Sequence, residues 1–202
     1  GLVTGVAAGT VTITYTDSNG CQTTASVVVN ALPTITGTLS ACVNATTQLS
    51  GSGSPAVSNP WVSSSTAVAT VSSTGLVTGV SAGTSTITYT DVNGCQKTAV
   101  VTINALPTIS GGLSACVNSS TQLSGSGSPA SVSPWTSSST SVATVSTTGL
   151  VTGVAAGTAV ITYTDSNGCQ VTATVTINAL PVITGTLSAC VNATTQLTGS
   201  GT

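Results

Sequence analysis

The amino-acid sequence predicts an all-β protein made of tandem Greek-key β-sandwiches, and three observations lead there. A near-identical block starts at Gly1, at Gly75 and again at Gly149, a period of 74 residues, and self-similarity at fixed spacing marks a repeat architecture. Inside each period, short runs rich in Val, Ile and Thr alternate apolar with hydroxyl side chains, as half-buried strands do. Turn signals interrupt these runs about every eight to twelve residues, and no segment carries a helical period.

The chain then divides into residues 1–31, the later part of a module; 32–105 and 106–179, two complete modules; and 180–202, the start of another. In the first complete module, residues 34–43 read as a first strand. Residues 46–50 read as a second, with Leu49 pointing inward. The Gly-Ser-Gly-Ser-Pro tract at 51–55 is a turn or bulged strand end, because Trp61 follows soon after to open a third strand running into Ser65. Residues 67–72 and 76–80 are the fourth and fifth strands, and 84–103 form a hairpin that supplies the last two. In the next module the same hairpin spans 158–164 and 171–177, joined by Asp165-Ser166-Asn167-Gly168, where Gly168 is free to take the positive φ of a tight turn. Successive modules are joined by Ala-Leu-Pro, at residues 31–33, 105–107 and 179–181. A link that short with a φ-locked proline predicts coaxial, restrained modules.

Charge is nearly absent. One lysine, Lys97, and three aspartates, Asp17, Asp91 and Asp165, make up 2% of the residues, against about 25% in most soluble domains. Serine, threonine, asparagine and glycine must keep this surface in water. Such a chain has no basic groove for nucleic acid and no polybasic membrane patch. No apolar run reaches the ~20 residues of a membrane span, and no leader pattern opens the sequence, so any targeting segment is expected outside this stretch. Six cysteines, two per period, suit an oxidising compartment. Zinc is the competing reading, but it calls for CxxC pairs or histidines, which the sequence lacks.

Trp135-Thr-Ser-Ser-Ser, Val142-Ala-Thr-Val and the block from Gly149 to Thr158, Gly-Leu-Val-Thr-Gly-Val-Ala-Ala-Gly-Thr, carry a resemblance. Together they look like the core signature of bacterial immunoglobulin-like domains of group 2, found in invasin- and intimin-type adhesins and in giant surface proteins. The added pair Ala115-Cys-Val-Asn and Asn167-Gly-Cys is similar to repeats in very long secreted proteins of Bacteroidota. The resemblance implies seven-stranded immunoglobulin-like sandwiches and a secreted or cell-surface setting. It implies display, adhesion or filament building without choosing among them.

Catalysis needs a base, a partnered nucleophile or a metal. The chain has no histidine, and its only carboxylates sit one per module in the hairpin turn, where aspartate closes turns through its own backbone. One carboxylate falls short of the oxygen set calcium takes. Lys97 is replaced by Thr23 and Val171 at its equivalent positions and reads as incidental. Asn44-Ala-Thr, Asn118-Ser-Ser and Asn192-Ala-Thr match an N-glycosylation triplet, a pattern that arises easily in a Ser/Thr-rich chain. Trp61 and Trp135 on the third strand, and Tyr15, Tyr89 and Tyr163 on the penultimate one, are read as core. No catalytic residue, cofactor or metal is assigned, and an enzyme is not expected.

The six cysteines, Cys21, Cys42, Cys95, Cys116, Cys169 and Cys190, are read as disulfide-forming. Two connectivities stay open. Bonds within modules would join Cys42 to Cys95 and Cys116 to Cys169. In the inferred topology, however, Cys42 ends the first strand and Cys95 begins the last, which runs parallel to it. The two then lie roughly 25 to 30 Å apart, beyond the ~7 Å Cα limit of a bridge. A bond across a module junction, Cys42 to Cys169, is preferred, with the remaining cysteines pairing across other junctions or with other chains.

The functional expectation is a rigid, disulfide-stapled, non-catalytic repeat segment of an extracellular fibre, with self-association into a filament or lateral packing of identical chains. The alternative is the stalk of a cell-surface adhesin that displays a binding tip or binds glycans itself.

Overall fold

Turn chemistry sets the local structure before packing does. Each Asp-x-Asn-Gly turn places its glycine at positive φ, 83° at Gly20, 81° at Gly94 and 80° at Gly168, so the flanking β-branched runs fold back as hairpins. The computed structural model describes residues 1–200; Gly201 and Thr202, the end of the predicted fourth segment, lie outside the described residues. All regular elements among the described residues are strands. They fall in two compact units, Gly1–Ala105 and Leu106–Thr202.

The first unit opens with the hairpin of β1 (Gly9–Thr16) and β2 (Gln22–Val29). A sandwich follows, formed by β3 (Ile35–Gly37), β4 (Ser40–Cys42), β5 (Thr46–Gly51), β6 (Trp61–Ser63), β7 (Ala69–Val71), β8 (Leu76–Gly79), β9 (Gly83–Thr90) and β10 (Gln96–Asn104). One sheet runs β3-β5-β8-β7 and the other β4-β10-β9-β6. All pairings are antiparallel except β4 with β10, which is parallel.

The predicted first strand is therefore two strands in two sheets. Gly37, at φ 121°, bends the chain out of the β3–β5 ladder, and β4 crosses to pair with β10. A Cβ at Gly37 would strike the Gln48 carbonyl oxygen, so only glycine makes this crossing without displacing β5.

The inward faces of both sheets meet in one core of Leu49, Trp61, Ala69, Val77, Ile87, Tyr89, Val101 and Ile103. Residues 85, 87 and 89 alternate inward along β9, the period that one covered sheet face requires. Each fully buried aliphatic side chain contributes about 1.5–3 kcal/mol over its exposed state. Trp61 and Tyr89 sit face to tilted face, with ring centroids 4.6 Å apart and planes at 42°.

The second unit repeats the order with β11 (Ile109–Gly111), β12 (Ser114–Cys116), β13 (Ser120–Gly125), β14 (Trp135–Ser137), β15 (Ala143–Val145), β16 (Leu150–Gly153), β17 (Gly157–Thr164) and β18 (Gln170–Asn178). It closes with a short pair, β19 (Ile183–Gly185) and β20 (Leu197–Gly199). Its core is built around Trp135 and Tyr163, again 4.6 Å apart.

One core assignment is corrected. Tyr15, read as buried by analogy with Tyr89 and Tyr163, is 66% exposed. β1 and β2 form a sheet of their own, so among the described residues nothing plays the part that Leu49 and Trp61 play against Tyr89.

Candidate functional site: the cysteine-bearing strand ends

Each complete module fixes two cysteines at opposite ends of its last strand. Cys42 closes β4 and stands directly across from Asn104, the last residue of β10. Cys95 immediately precedes β10, a strand of 9 residues. At ~3.3 Å per residue the two cysteines are roughly 30 Å apart. The second module repeats this, with Cys116 across from Asn178 and Cys169 just before β18.

Both positions are held rigidly, and by residues the sequence pattern places beside them. At the first, Asn44 adopts φ 65° and closes a turn in which the Ala45 N–H donates to the Cys42 carbonyl at 3.0 Å. The Val43 N–H donates to the Asn104 carbonyl at 3.0 Å and the Asn44 N–H to the Gly79 carbonyl at 2.9 Å. Asn118 and Asn192 share the left-handed conformation, with φ 63° and 65°. That backbone demand accounts for an asparagine at each position without any modification. Gly79 completes the support. A Cβ there would lie 2.6 Å from the Cys42 carbonyl oxygen and 2.9 Å from Ile103 Cγ2.

At the second position the aspartate organises the turn. Asp91 is only 7% exposed, and its Oδ1 accepts the N–H groups of Asn93 and Cys95, each at 2.9 Å. Asp165 does the same for Asn167 at 2.9 Å and Cys169 at 2.8 Å, and Asp17 for Asn19 and Cys21. The isolated bridges Pro55↔Asp91 and Pro129↔Asp165 tie the Gly-Ser-Gly-Ser-Pro tract to this turn. A turn role for the aspartate was readable in the sequence. Its grip on the cysteine backbone was not, although the Asp-x-Asn-Gly-Cys spacing is its visible sign.

The cysteines differ in state. Cys42 and Cys169 are disulfide-bonded, whereas Cys21, Cys95, Cys116 and Cys190 carry free thiols. Bonds Cys42–Cys95 and Cys116–Cys169, the within-module alternative, are thus not formed, and the ~30 Å along the strand is the physical reason. Cys169 is buried, while Cys95 at the equivalent place is partly exposed.

The remaining features are chemically quiet. Among the described residues, no group of three or more His, Cys, Asp or Glu side chains could hold a metal ion. A pocket of about 320 Å³ lies over the Trp61–Tyr89 pair, lined also by Leu49, Gly51, Gly53 and Pro55, and its counterpart lies over Trp135 and Tyr163. Trp61 is 8% and Tyr89 2% exposed, so the rings give a ligand little face to stack on. The Tyr89 hydroxyl donates to the Gly53 carbonyl at 3.3 Å. Among the described residues, no helix is long and apolar enough to cross a membrane.

The family model for the bacterial Ig-like domain (group 2) matches residues 34–102 and 112–177, more than half of the chain. The chain belongs to this family. Each match of this group 2 Ig-like chain covers most of one sandwich, with its Trp–Tyr pair. Among solved structures, invasin, a bacterial integrin-binding protein, is 18% identical over 89% of this chain and 47% of its own, with a TM-score of 0.45. The surface layer protein SbsC, domains 1–6, is 18% identical over 89% of this chain and 36% of its own, at TM-score 0.34. An intimin mutant of EHEC O157:H7 is 21% identical over 39% of this chain and 49% of its own, at TM-score 0.30. The group 2 chain thus spans about half or less of the length of these proteins. No curated protein matches it.

Proposed function

We propose that the chain is a structural segment of an extracellular or cell-surface fibre, in which disulfides across module junctions lock Ig-like blocks against bending. The observation that carries this reading is the placement of two rigid cysteines at opposite ends of one strand. A bond inside the module is out of reach, so each cysteine serves a neighbour. In a head-to-tail series the strand end that carries Cys42 would abut the strand start that carries Cys169, and both of these cysteines are oxidised. The proposed bridge is therefore Cys42–Cys169. The Ala-Leu-Pro link and a surface of hydroxyls and amides support the same mechanical role. Its partners are then further copies of itself.

The test is small-angle scattering of the oxidised and the reduced chain. The reading expects a larger maximum dimension and a narrower distribution of dimensions when oxidised. Identical curves would count against it.

A second reading is the stalk of an adhesin, and the paired pockets over Trp61–Tyr89 and Trp135–Tyr163 are what favour it. Their uncharged lining suits a neutral ring such as a pyranose. Saturable binding on a glycan array that Pro55→Trp and Pro129→Trp together abolish would raise it above the first.

A further inference from the structure

The edges of the first sandwich are β3 and β7 in one sheet and β4 and β6 in the other, and they differ in what their outward backbone groups do. On β7 the Ala69 N–H donates to the Ser65 carbonyl at 3.0 Å, and the Ala69 carbonyl accepts the Ser63 hydroxyl at 2.6 Å. On β4 the Cys42 carbonyl accepts the Ala45 N–H. β3 stops at Gly37, where a φ of 121° turns the chain away.

β6 is neither engaged nor bent. It pairs on one side with β9, Trp61 opposite Tyr89, Val62 opposite Thr88 and Ser63 opposite Ile87. The Thr90 N–H donates to the Pro60 carbonyl and the Ser64 N–H to the Thr86 carbonyl, so residues 60, 62 and 64 occupy the positions that bond β9. In an antiparallel ladder the residues between them turn their N–H and C=O groups the other way. Trp61 and Ser63 therefore aim their backbone donors and acceptors out of the sheet, and no group among the described residues takes them. A groove of about 470 Å³ lies beside these strand residues, walled by Asn59, Thr66, Thr70 and Val71. No charged side chain lines it, although lysine is the usual guard of an open edge. The second module repeats the edge in β14. There the Thr164 N–H donates to the Pro134 carbonyl and the Ser138 N–H to the Val160 carbonyl, which turns Trp135 and Ser137 outward.

We propose that β6 and β14 are the lateral contact between copies of this chain, two such edges pairing antiparallel so that their sheets become continuous. A second copy is the occupant because the edge is its own complement. With Val62 opposite Val62 of the partner copy, Trp61 lies across from Ser63 of the partner copy, and the reciprocal pair follows from the twofold axis. Each of these pairs exchanges both of its backbone hydrogen bonds. Val62, 49% exposed, then meets its copy at the close, non-hydrogen-bonded position, where β-branched side chains pack across strands. β14 presents Thr136 at that place, exposed and also β-branched, so β6 and β14 fit each other in the same register. Each edge is short and a single joint is weak, so the strength grows with the number of modules engaged. The proposal rests on the reading of the chain as a fibre segment partnered by its own copies, and not on the Cys42–Cys169 bridge.

The experiment takes the full chain at graded concentrations, oxidised and again in dithiothreitol, and reads sedimentation velocity and backbone hydrogen exchange. The expected result is reversible association in both conditions. The amides of Trp61, Ser63, Trp135 and Ser137 should exchange freely at low concentration and become protected at high concentration. Val62→Lys with Thr136→Lys sets like charges against each other at every joint and should raise the half-association concentration roughly tenfold. Val62→Glu with Thr136→Glu should do the same, and an equimolar mixture of the two variants should associate as well as the parent chain. Both positions are exposed, so urea midpoints equal to the parent's are expected. A chain that stays monomeric in both conditions, association that leaves these amides unprotected, association that dithiothreitol abolishes, or a mixture no better than either variant overturns this inference alone. Scattering at the lowest concentration tests the reading beneath it, and identical oxidised and reduced curves there would remove that reading.

Discussion

Cys42 and Asn104 face each other across the one parallel pairing of their sandwich, β4 against β10. That single register decides what the cysteine can do. It sets Cys42 at the finish of the last strand while Cys95 stands at its beginning, so the module is spanned by a ladder of hydrogen bonds and not by sulfur. The same relationship recurs between Cys116 and Asn178, which makes the arrangement a property of the repeat.

Gly79 should tolerate no side chain. In Gly79→Ala the new methyl would meet a backbone oxygen, that of Cys42, at 2.6 Å and Ile103 Cγ2 at 2.9 Å. Both neighbours are held by the sheet, so the strain has no flexible outlet. The expected loss is about 1–3 kcal/mol, read as a lower urea midpoint with an unchanged slope.

The nearly buried Asp91 carboxylate accepts two backbone N–H groups of a turn whose residues 92–94 are exposed. Asp91→Ala removes the acceptor of both donors and, with Asn93 open to water, is expected to cost about 1–3 kcal/mol. Asp91→Asn retains an acceptor oxygen and should recover more than half of that. Denaturant unfolding of the two variants checks the order, and equal losses would show that the hydrogen bonds are not the cause.

Ser85 offers a comparison built into the repeat. It is buried, and its Oγ accepts the Ser65 N–H at 3.1 Å and lies 2.9 Å from Ser63 Oγ. The second module has Ala159 at the same position, and there the Ser139 N–H turns to Ser137 Oγ at 3.3 Å instead. Because Ser63 can take the same part, Ser85→Ala should change stability by less than about 0.5 kcal/mol, measured by thermal or urea unfolding. A loss typical of an orphaned buried donor would refute that substitution of partners.

Much of this was legible in the sequence. The period, the hairpins and the inward Trp61, Tyr89, Trp135 and Tyr163 follow from local patterns, because alternation and turn residues act over a few positions. The separation of Cys42 from Cys95 was read through the inferred topology. What escaped depends on tertiary context. The split of the first strand turns on Gly37, whose positive φ sends three residues to each sheet. Tyr15 has the same neighbours in sequence as Tyr89, yet burial is a property of what lies opposite and not of the strand itself. The hydrogen bond that the Cys95 N–H donates to the Asp91 carboxylate joins a turn signal to a cysteine that reads, residue by residue, as a separate motif.

The account stands most directly on one measurement, thiol-blocked peptide mapping of the monomeric, oxidised chain under non-reducing conditions. It predicts a single peptide pair joining Cys42 to Cys169, with Cys95 and Cys116 recovered as blocked thiols. Recovery of Cys42 joined to Cys95, or of Cys116 joined to Cys169, would contradict the register and the mechanical role built on it.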